Sequence, residues 1–449
     1  MPDQNGVLSS GLFGAVFGRG TAPGGGPVAD DGAWLRSMLA AEAALARALE
    51  RAGLAPGGAG AAVTKAAAAD FGPGDLAELS RAAAVTGSPV PGLARVLTRR
   101  VADPAARAAV HTGATSQDIM DTAAMLLARD ALGAAVTELT AAADAAARLA
   151  SAHRRTLMIG RTLLQQAVPV TFGLVAAGWL SGLDSAVEWL ASVRDTRLAV
   201  QFGGAAGTLA SLGADGARVR ALLAGELGLA DPALPWHTER LRVIDVGAVS
   251  ARACAALSKI ARDVTLLTQT EVREVKCNPV AAVAILGCTR QAPGLLATLV
   301  ACAEQENQRA AGAWHAEWQP YGHLLELAVS AAAWSRDLLI DLDVDTARMA
   351  ANLAEAGGLP LAEGVTALLR GPLGAPRAHD LVATAAAKSA MSGVPFLDVL
   401  LATPEIEVVL TKAGISHARV EAALDPSGYL GSSEAFITAA LDAHARQGR

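Results

Sequence analysis

Three stretches of this 449-residue sequence are more polar than their apolar surroundings, and each gathers groups that can hold or protonate an anion. The first reads His111-Thr112-Gly113-Ala114-Thr115-Ser116-Gln117-Asp118 and brings an imidazole, hydroxyls and an amide to the front of a helix expected near Asp121. Free backbone N–H groups and the helix dipole favour a carboxylate at such a place. The plainer alternative is that Ser116 or Asp118 simply caps the helix. The second stretch runs from Gly160 to Gly173. There Arg161 offers a planar fork that suits a carboxylate, and Thr162 with Gln165 can present hydrogen bonds on one side of a turn. A solvated arginine and backbone-satisfied amides would explain the same residues. In the third, small residues at 201–213 precede a cluster of donors in Pro235-Trp236-His237-Thr238-Glu239-Arg240. A lone histidine such as His237 is more often structural than functional.

The elements that must position these groups are helical. Alanine, leucine and glycine dominate a chain that is 52% hydrophobic and 4% aromatic, which predicts an all-α fold with a large core. A helix is expected over 31–51, with Leu35, Met38, Leu39, Leu45 and Leu49 on one stripe. Glu42 shares that stripe, so it either has a buried partner or marks where the stripe meets solvent or a site. Two or three short helices should follow before His111, broken at 53–60, 72–73 and 88–91. Longer helices follow, and 245–274 places Val246, Val249, Ala253, Leu257, Ile260, Val264 and Leu267 at three- and four-residue steps, as a helix bundle requires. After about Pro360 the pattern shortens again. The expected organisation is an N-terminal helical domain (1–120), a central long-helix bundle (121–358) and a C-terminal helical domain (359–449). Several long apolar helices cannot all be hidden within one chain, so a homo-oligomer is expected.

Other classes are disfavoured. The net charge is −6 with no run of Lys or Arg, so neither nucleic acid nor an anionic membrane is an expected partner. The four cysteines lack metal-ligand spacing and fit a reducing cytoplasm, and no metal site is expected. Residues 1–20 do not read as an export signal. Residues 163–183 are uncharged over the length of a membrane span, but Gln165, Gln166, Pro169 and Thr171 fit the start of a buried helix better.

Taken together, the polar words match a known family in order and spacing. HTGATSQDIMDT at His111, GRTLLQQAVPVTFG at Gly160, QFGGAAGTLASLG at Gln201, PWHTER at Pro235 and KIARDVTLLTQTEVREV at Lys259 resemble the fumarase/aspartase superfamily, and within it the carboxymuconate cycloisomerases. The resemblance continues through NPVAAVAILGCTRQAPGLLATL at Asn278 and GAWHAEW at Gly312, over nearly the whole chain. It implies a three-domain fold, a homotetramer with a twenty-helix core, and active sites assembled from three subunits. The implied reaction removes a proton beside a carboxylate and expels a group from the neighbouring carbon of a small di- or tricarboxylate, or the reverse, without a cofactor. By resemblance Thr115 and Ser116 grip a substrate carboxylate, and Thr162, Gln165, Lys276 and Asn278 supply further donors. Gln117, Arg161, His237 and Arg240 complete the candidate binding set, and His111 joins Lys276 and Asn278 as a candidate catalytic residue.

Two departures stand out. Amine-releasing members such as adenylosuccinate lyase carry a histidine after the GRT word, and here it is Leu163. An amine leaves badly without a proton, whereas a carboxylate released from a lactone, or nitrite, is already a stable anion. The position favours cycloisomerase chemistry; the alternative is a fumarate-releasing carbon–nitrogen lyase, on nitrosuccinate rather than adenylosuccinate, although His111 or His237 could substitute as the acid. The family's mobile loop, of the form GSSxMPxKxNP, supplies the serine base; here Val275 runs directly into Lys276-Cys277-Asn278-Pro279. An unbroken chain speaks for deletion of the loop, the intact remainder for its retention. Without it, His111, His237 or Ser116 must serve as base, or the chain is a catalytically silent homologue. Gly431-Ser432-Ser433 echoes the missing word but reads as a turn and helix cap.

Overall fold

A computed structural model describes residues 13–22 and 25–447. Most of residues 1–20, read as lacking an export signal, lies outside the described residues. Helices dominate, and among the described residues strands are confined to two small antiparallel pairs.

The first long helix, Asp31–Arg51, forms where the apolar spacing predicts it. Asp30 caps it by accepting the Ala33 N–H at 2.7 Å, satisfying one of the donors that a helix start leaves free. Leu35, Met38, Leu39, Leu45 and Leu49 are buried, and so is Glu42. Helices Ala59–Ala67, Pro73–Thr86 and Val90–Arg100 follow, separated at the expected glycine and proline breaks. The long helices are Ser116–Ala152, Phe172–Thr196, Leu241–Leu267 and Ala313–Ile340. All seven seam residues from Val246 to Leu267 are buried. That helix stops at Leu267, earlier than the pattern suggested, because the chain turns back there: the Glu274 N–H donates to the Leu267 carbonyl at 3.0 Å and Arg273 takes φ 53°.

The GRTLLQQAVPVTFG word contains most of a β-hairpin rather than the start of a helix. Strand β1 (Leu157–Thr162) pairs with β2 (Gln165–Thr171), and the helix begins only at Phe172. Residues 163–183 are therefore not one continuous helix. Leu163 and Leu164 form the two-residue turn with φ 52° and 62°, left-handed values that such a turn normally gives to Asn-Gly. Proline and glycine also shape the C-terminal segment, where Leu369, Phe396, Leu400, Ile406 and Leu410 pack into a shared core. Gly431-Ser432-Ser433 is the turn leading into the Ser433–Gln447 helix, as expected.

Among the described residues no loop of the GSSxMPxKxNP form separates Val275 from Lys276. The chain runs unbroken through Val275–Lys276, which form strand β3 and pair with β4, Asp343–Val344. The helix stretch at 279–301 is apolar and long enough to cross a membrane by length and composition, with 39% of its most apolar window buried. Arg290 and Gln291 interrupt it, and Val280, Val283 and Val300 are exposed.

The chain divides into two compact units. The first comprises the residues up to Thr140 with Ser185–Ser258 and Val283–Ser335; the second comprises Ala141–Asp184, Lys259–Ala282 and the residues from Arg336 onward.

Within the second unit, Gly173 shows how tightly the hairpin exit is packed. A Cβ there would lie 2.7 Å from the His153 carbonyl oxygen and 2.8 Å from that of Ala150. Both are backbone atoms at the end of a helix and cannot swing aside. The substitution Gly173→Ala is expected to cost about 1–3 kcal/mol through overpacking. An unchanged unfolding midpoint in denaturant would contradict this packing.

Candidate active site

The candidate residues divide between the two units. His111, Thr115, Ser116, Gln117, His237 and Arg240 belong to the first; Arg161, Thr162, Gln165, Lys276 and Asn278 belong to the second.

The first group is organised around Asp118. Its Oδ1 accepts hydrogen bonds from Gln201 Nε2 and the Gly203 N–H, each at 3.0 Å, and from His237 Nε2 at 2.7 Å. Its Oδ2 accepts from the N–H groups of Thr115 at 3.0 Å and Gly204 at 2.9 Å. The Thr115 bond is the return half of a capping box, so the helix starts at Ser116 rather than near Asp121. Capping is thus the job of Asp118, which leaves the Thr115 and Ser116 hydroxyls without partners among the described residues. Gly203 is glycine for a spatial reason: a Cβ would stand 2.8 Å from His237 Cε1. Because a carboxylate oxygen only accepts, His237 must carry its proton on Nε2, which orients the buried ring.

His111 is held from the other side. Buried Glu42 accepts its backbone N–H at 3.0 Å through Oε2 and faces its Nδ1 at 2.7 Å through Oε1. This answers the question that Glu42 posed on its apolar stripe. His111 takes a left-handed φ of 59°, unusual for a residue with a side chain, and the double contact to Glu42 holds it there. Burial pushes its pKa down, but the hydrogen bond and charge of Glu42, with the charge of Asp118, outweigh burial and leave it raised. With Nδ1 committed to Glu42, Nε2 is the nitrogen left to meet a ligand.

Gln117 and Arg240 sit deeper and are engaged within the protein. Gln117 Nε2 donates to the His237 carbonyl at 2.7 Å and to Asp121 at 3.1 Å. Arg240, 3% exposed, forks onto both Asp121 oxygens at 2.7 and 3.0 Å and reaches Glu317 at 2.6 Å. Burial alone would lower its pKa, yet the two carboxylates raise it. The Glu317 carboxyl is raised chiefly by burial. Arg240 is therefore engaged by two buried carboxyl groups, and its fork is not presented to a ligand.

In the second unit Glu274, fully buried, plays the organising part. Arg161 donates to both of its oxygens at 2.8 Å, and Asn352 Nδ2 adds another bond at 2.8 Å. The Arg161 fork, expected to suit a substrate, thus ties the hairpin to the segment just before Val275. Thr162 and Gln165 flank the exposed turn with no side-chain partner among the described residues, and Leu163 at its tip is 95% exposed. Lys276 pairs with Asp345 at 3.0 Å, which raises the lysine pKa, and remains exposed. Asn278 accepts the Val280 N–H at 3.0 Å and so shapes the start of the next helix.

Several residues were not legible from local sequence: Glu42 as a clamp, Asp121 and Glu317 as partners of Arg240, and Glu274 with Asn352. Another is Arg309, whose guanidinium donates to the carbonyls of Ala205 at 3.1 Å and Gly204 at 3.3 Å, close to the Asp118 cluster. A buried carboxylate on an apolar stripe was the available signal for Glu42. The others depend on partners far away in sequence.

No group of three or more His, Cys, Asp or Glu placed to hold a metal ion occurs among the described residues. The first unit offers hydroxyls at a helix start and an oriented imidazole, groups that suit carboxylate binding and proton transfer; the second offers an exposed lysine.

Comparison with known proteins agrees. The profile of a family described as "Lyase" matches residues 29–283. The nitrosuccinate lyase of Streptomyces davaonensis is 42% identical over 98% of this chain and 96% of its own length. The 3-carboxy-cis,cis-muconate cycloisomerase of Bradyrhizobium diazoefficiens is 41% identical over 92% of this chain and 94% of its own. The crystal structure of the 3-carboxy-cis,cis-muconate lactonizing enzyme from Pseudomonas putida superposes with a TM-score of 0.88 at 37% identity, covering 98% of this chain and all of that one. The alignment to the Streptomyces enzyme spans 466 positions, more than the 449 residues of this chain, so that relative contains residues with no counterpart here. On sequence and fold alike, the chain belongs to the lyase family of the fumarase/aspartase superfamily, similar throughout to its cycloisomerase branch.

Proposed function

We propose that this protein carries out addition and elimination beside a carboxylate of a small tricarboxylate, opening and closing a lactone as 3-carboxy-cis,cis-muconate cycloisomerases do. The observation that carries this reading is Leu163. At the turn where the resemblance expects a histidine in amine-releasing members, this chain presents an alkyl side chain, which favours a departing group that leaves as a stable anion over one that needs a proton from His111 or His237. Release of a lactone carboxylate meets that requirement. So does release of nitrite from nitrosuccinate, and the 42% identity to a nitrosuccinate lyase favours that as the second reading.

Without the loop serine, His111 becomes the group of choice for proton transfer. Its Nε2 is open, its ring is fixed by Glu42, and its raised pKa makes it a stronger base once deprotonated. In the elimination direction Nε2 takes the proton from the carbon beside the carboxylate, and the ring C–O electron pair leaves with the lactone oxygen. The Thr115 and Ser116 hydroxyls and nearby backbone N–H groups hold the carboxylate that gathers charge. Thr162, Gln165, Lys276 and Asn278 supply further contacts, and Gln117, His237, Arg161 and Arg240 support the groups that touch substrate. The three-domain division at about 120 and 358, a cytoplasmic location and a homotetramer with active sites shared between subunits belong to the same reading. The exposed Val280, Val283 and Val300 support self-association, since apolar helix faces of this kind are normally covered.

The decisive assay supplies 3-carboxy-cis,cis-muconate and nitrosuccinate separately, following muconate absorbance in one and fumarate with nitrite in the other. Loss of absorbance alone is the expected result, nitrite release alone would select the second reading, and turnover of neither would leave a catalytically silent homologue. For the base, His111→Asn is expected to lower kcat by about 10²–10⁴-fold. Activity should rise as pH climbs through the raised His111 pKa, and Glu42→Gln should move that limb to lower pH because it removes the interactions that raise it. A limb that stays in place would exclude Glu42 as its cause. The same shift has a stability sign: the pair's contribution is complete below the unfolded value near 6.5 and disappears as pH rises through the folded one. Arg240→Met should cost about 3–5 kcal/mol of stability by leaving two carboxylates buried without a cation. Thr115→Ala should leave the melting temperature nearly unchanged and raise KM, and the reverse pattern would exchange the two assigned roles.

A further inference from the structure

The first unit contains a second cavity-scale feature that the proposed chemistry does not use. It is a space of about 730 Å³ between the Asp31–Arg51, Pro73–Thr86 and Ala313–Ile340 helices. That volume falls within the range of small-molecule sites, roughly 300–1,000 Å³. Neither His111, Thr115, Ser116, Asp118 nor His237 lines it.

Its walls are apolar and polarisable: Trp34 and Trp318 contribute indoles, and Met38 and Met120 contribute thioethers. Asp30, Asp31 and Glu326 also line it, and no lysine or arginine does so among the described residues. His323 is the one basic side chain present, and burial lowers its pKa, so it supplies little positive charge at neutral pH. Asp30 and Asp31 lie at the start of a helix, whose dipole offsets part of their charge. Glu326 has no hydrogen-bond or ion-pair partner among the described residues. Burial, then the charges of Asp30 and Asp31, push its carboxyl pKa up. A half-buried carboxylate without a cation is an uncompensated cost, and it faces an aromatic wall that favours cations. The indole N–H of Trp318 is also buried without a partner among the described residues. The charge of the cavity repels di- and tricarboxylates, which separates it from the site assigned to substrate.

We propose that this cavity binds an organic monocation with an apolar body, an alkyl- or arylalkylammonium, whose charged head pairs with Glu326 and whose body lies against Trp34 and Trp318. The proposal stands independently of the lyase reading, because it concerns binding to different residues. It also has a structural connection to the core of the site: Met120 and Trp318 line a small void that also touches Asp121, Arg240 and Glu317.

Isothermal titration of the full-length protein with 4-phenylbutylammonium and with its neutral counterpart 4-phenylbutan-1-ol tests this. The expected result is saturable binding of the ammonium, with the alcohol weaker by about tenfold, the difference a partly desolvated ion pair produces. Glu326→Gln should abolish the preference while leaving the melting temperature equal or higher, since it removes a carboxylate repelled by its neighbours. Should that variant fail to fold, Asp31→Asn is expected to reduce the preference in the same direction. Equal affinity for ammonium and alcohol, binding of neither, or an undiminished preference in a folded variant would each overturn the proposal. None of these readouts depends on turnover, so failure here and failure of the lyase reading are distinguishable.

Discussion

One buried carboxylate sets the geometry of the first unit's site. Asp118 receives three backbone N–H groups, one amide and one imidazole, drawn from the start of the Ser116–Ala152 helix, the glycine-rich 201–204 segment and the PWHTER word. Charge-assisted bonds of this kind are stronger than neutral ones, and a buried carboxylate left short of donors is costly, so the three segments are held in a single arrangement. The arrangement explains residue choices that would otherwise look incidental. Glycine at 203 allows the imidazole to approach, Gln201 bridges Asp118 and the Trp236 N–H, and His237 is confined to one tautomer. Because Asp118 does the capping, the hydroxyls beside it remain available.

A similar device operates in the second unit with the partners exchanged. Glu274 is the buried acceptor, and Arg161 and Asn352 are its donors. This matters because the resemblance places the family's serine loop at the adjacent position, between Val275 and Lys276. In this chain the position is a two-residue strand, and Arg161 fastens the hairpin to Glu274 just before it. The proposed mechanism therefore has no loop serine to draw on. The Glu42–His111 pair is then the most fully prepared proton-transfer group: two contacts from one buried side chain hold the histidine in a backbone conformation that it would not otherwise favour.

The hairpin tip carries a comparable tension. Two consecutive leucines occupy left-handed positions that suit glycine or asparagine, and both are largely exposed. The register of β1 and β2 imposes the turn, and sequence preference at the tip gives way to it. Such departures from local preference collect at working parts of proteins, where packing elsewhere compensates for them. Leu163 is also the residue on which the proposed choice of leaving group rests.

The sequence by itself determined the helical class, the Asp31–Arg51 helix with its buried stripe, the buried seam from Val246 to Leu267 and the family relationship. These features are legible because helical periodicity and ordered motifs are carried by residues near one another along the chain. Side-chain chemistry was legible only as an inventory. The forks of Arg161 and Arg240 look alike as free cations in a sequence, and both are occupied by carboxylates roughly eighty to one hundred and twenty positions away. The hairpin was likewise hidden, since an uncharged stretch with alternating small residues satisfies a helix start as well as a strand. Tertiary structure alone decided which donors remain free for a ligand, which are consumed in neutralising buried charge, and that Glu42 belongs to His111. The physical reason is that the cost of burying a carboxylate depends on every group the fold brings to it, and those groups come from distant parts of the chain.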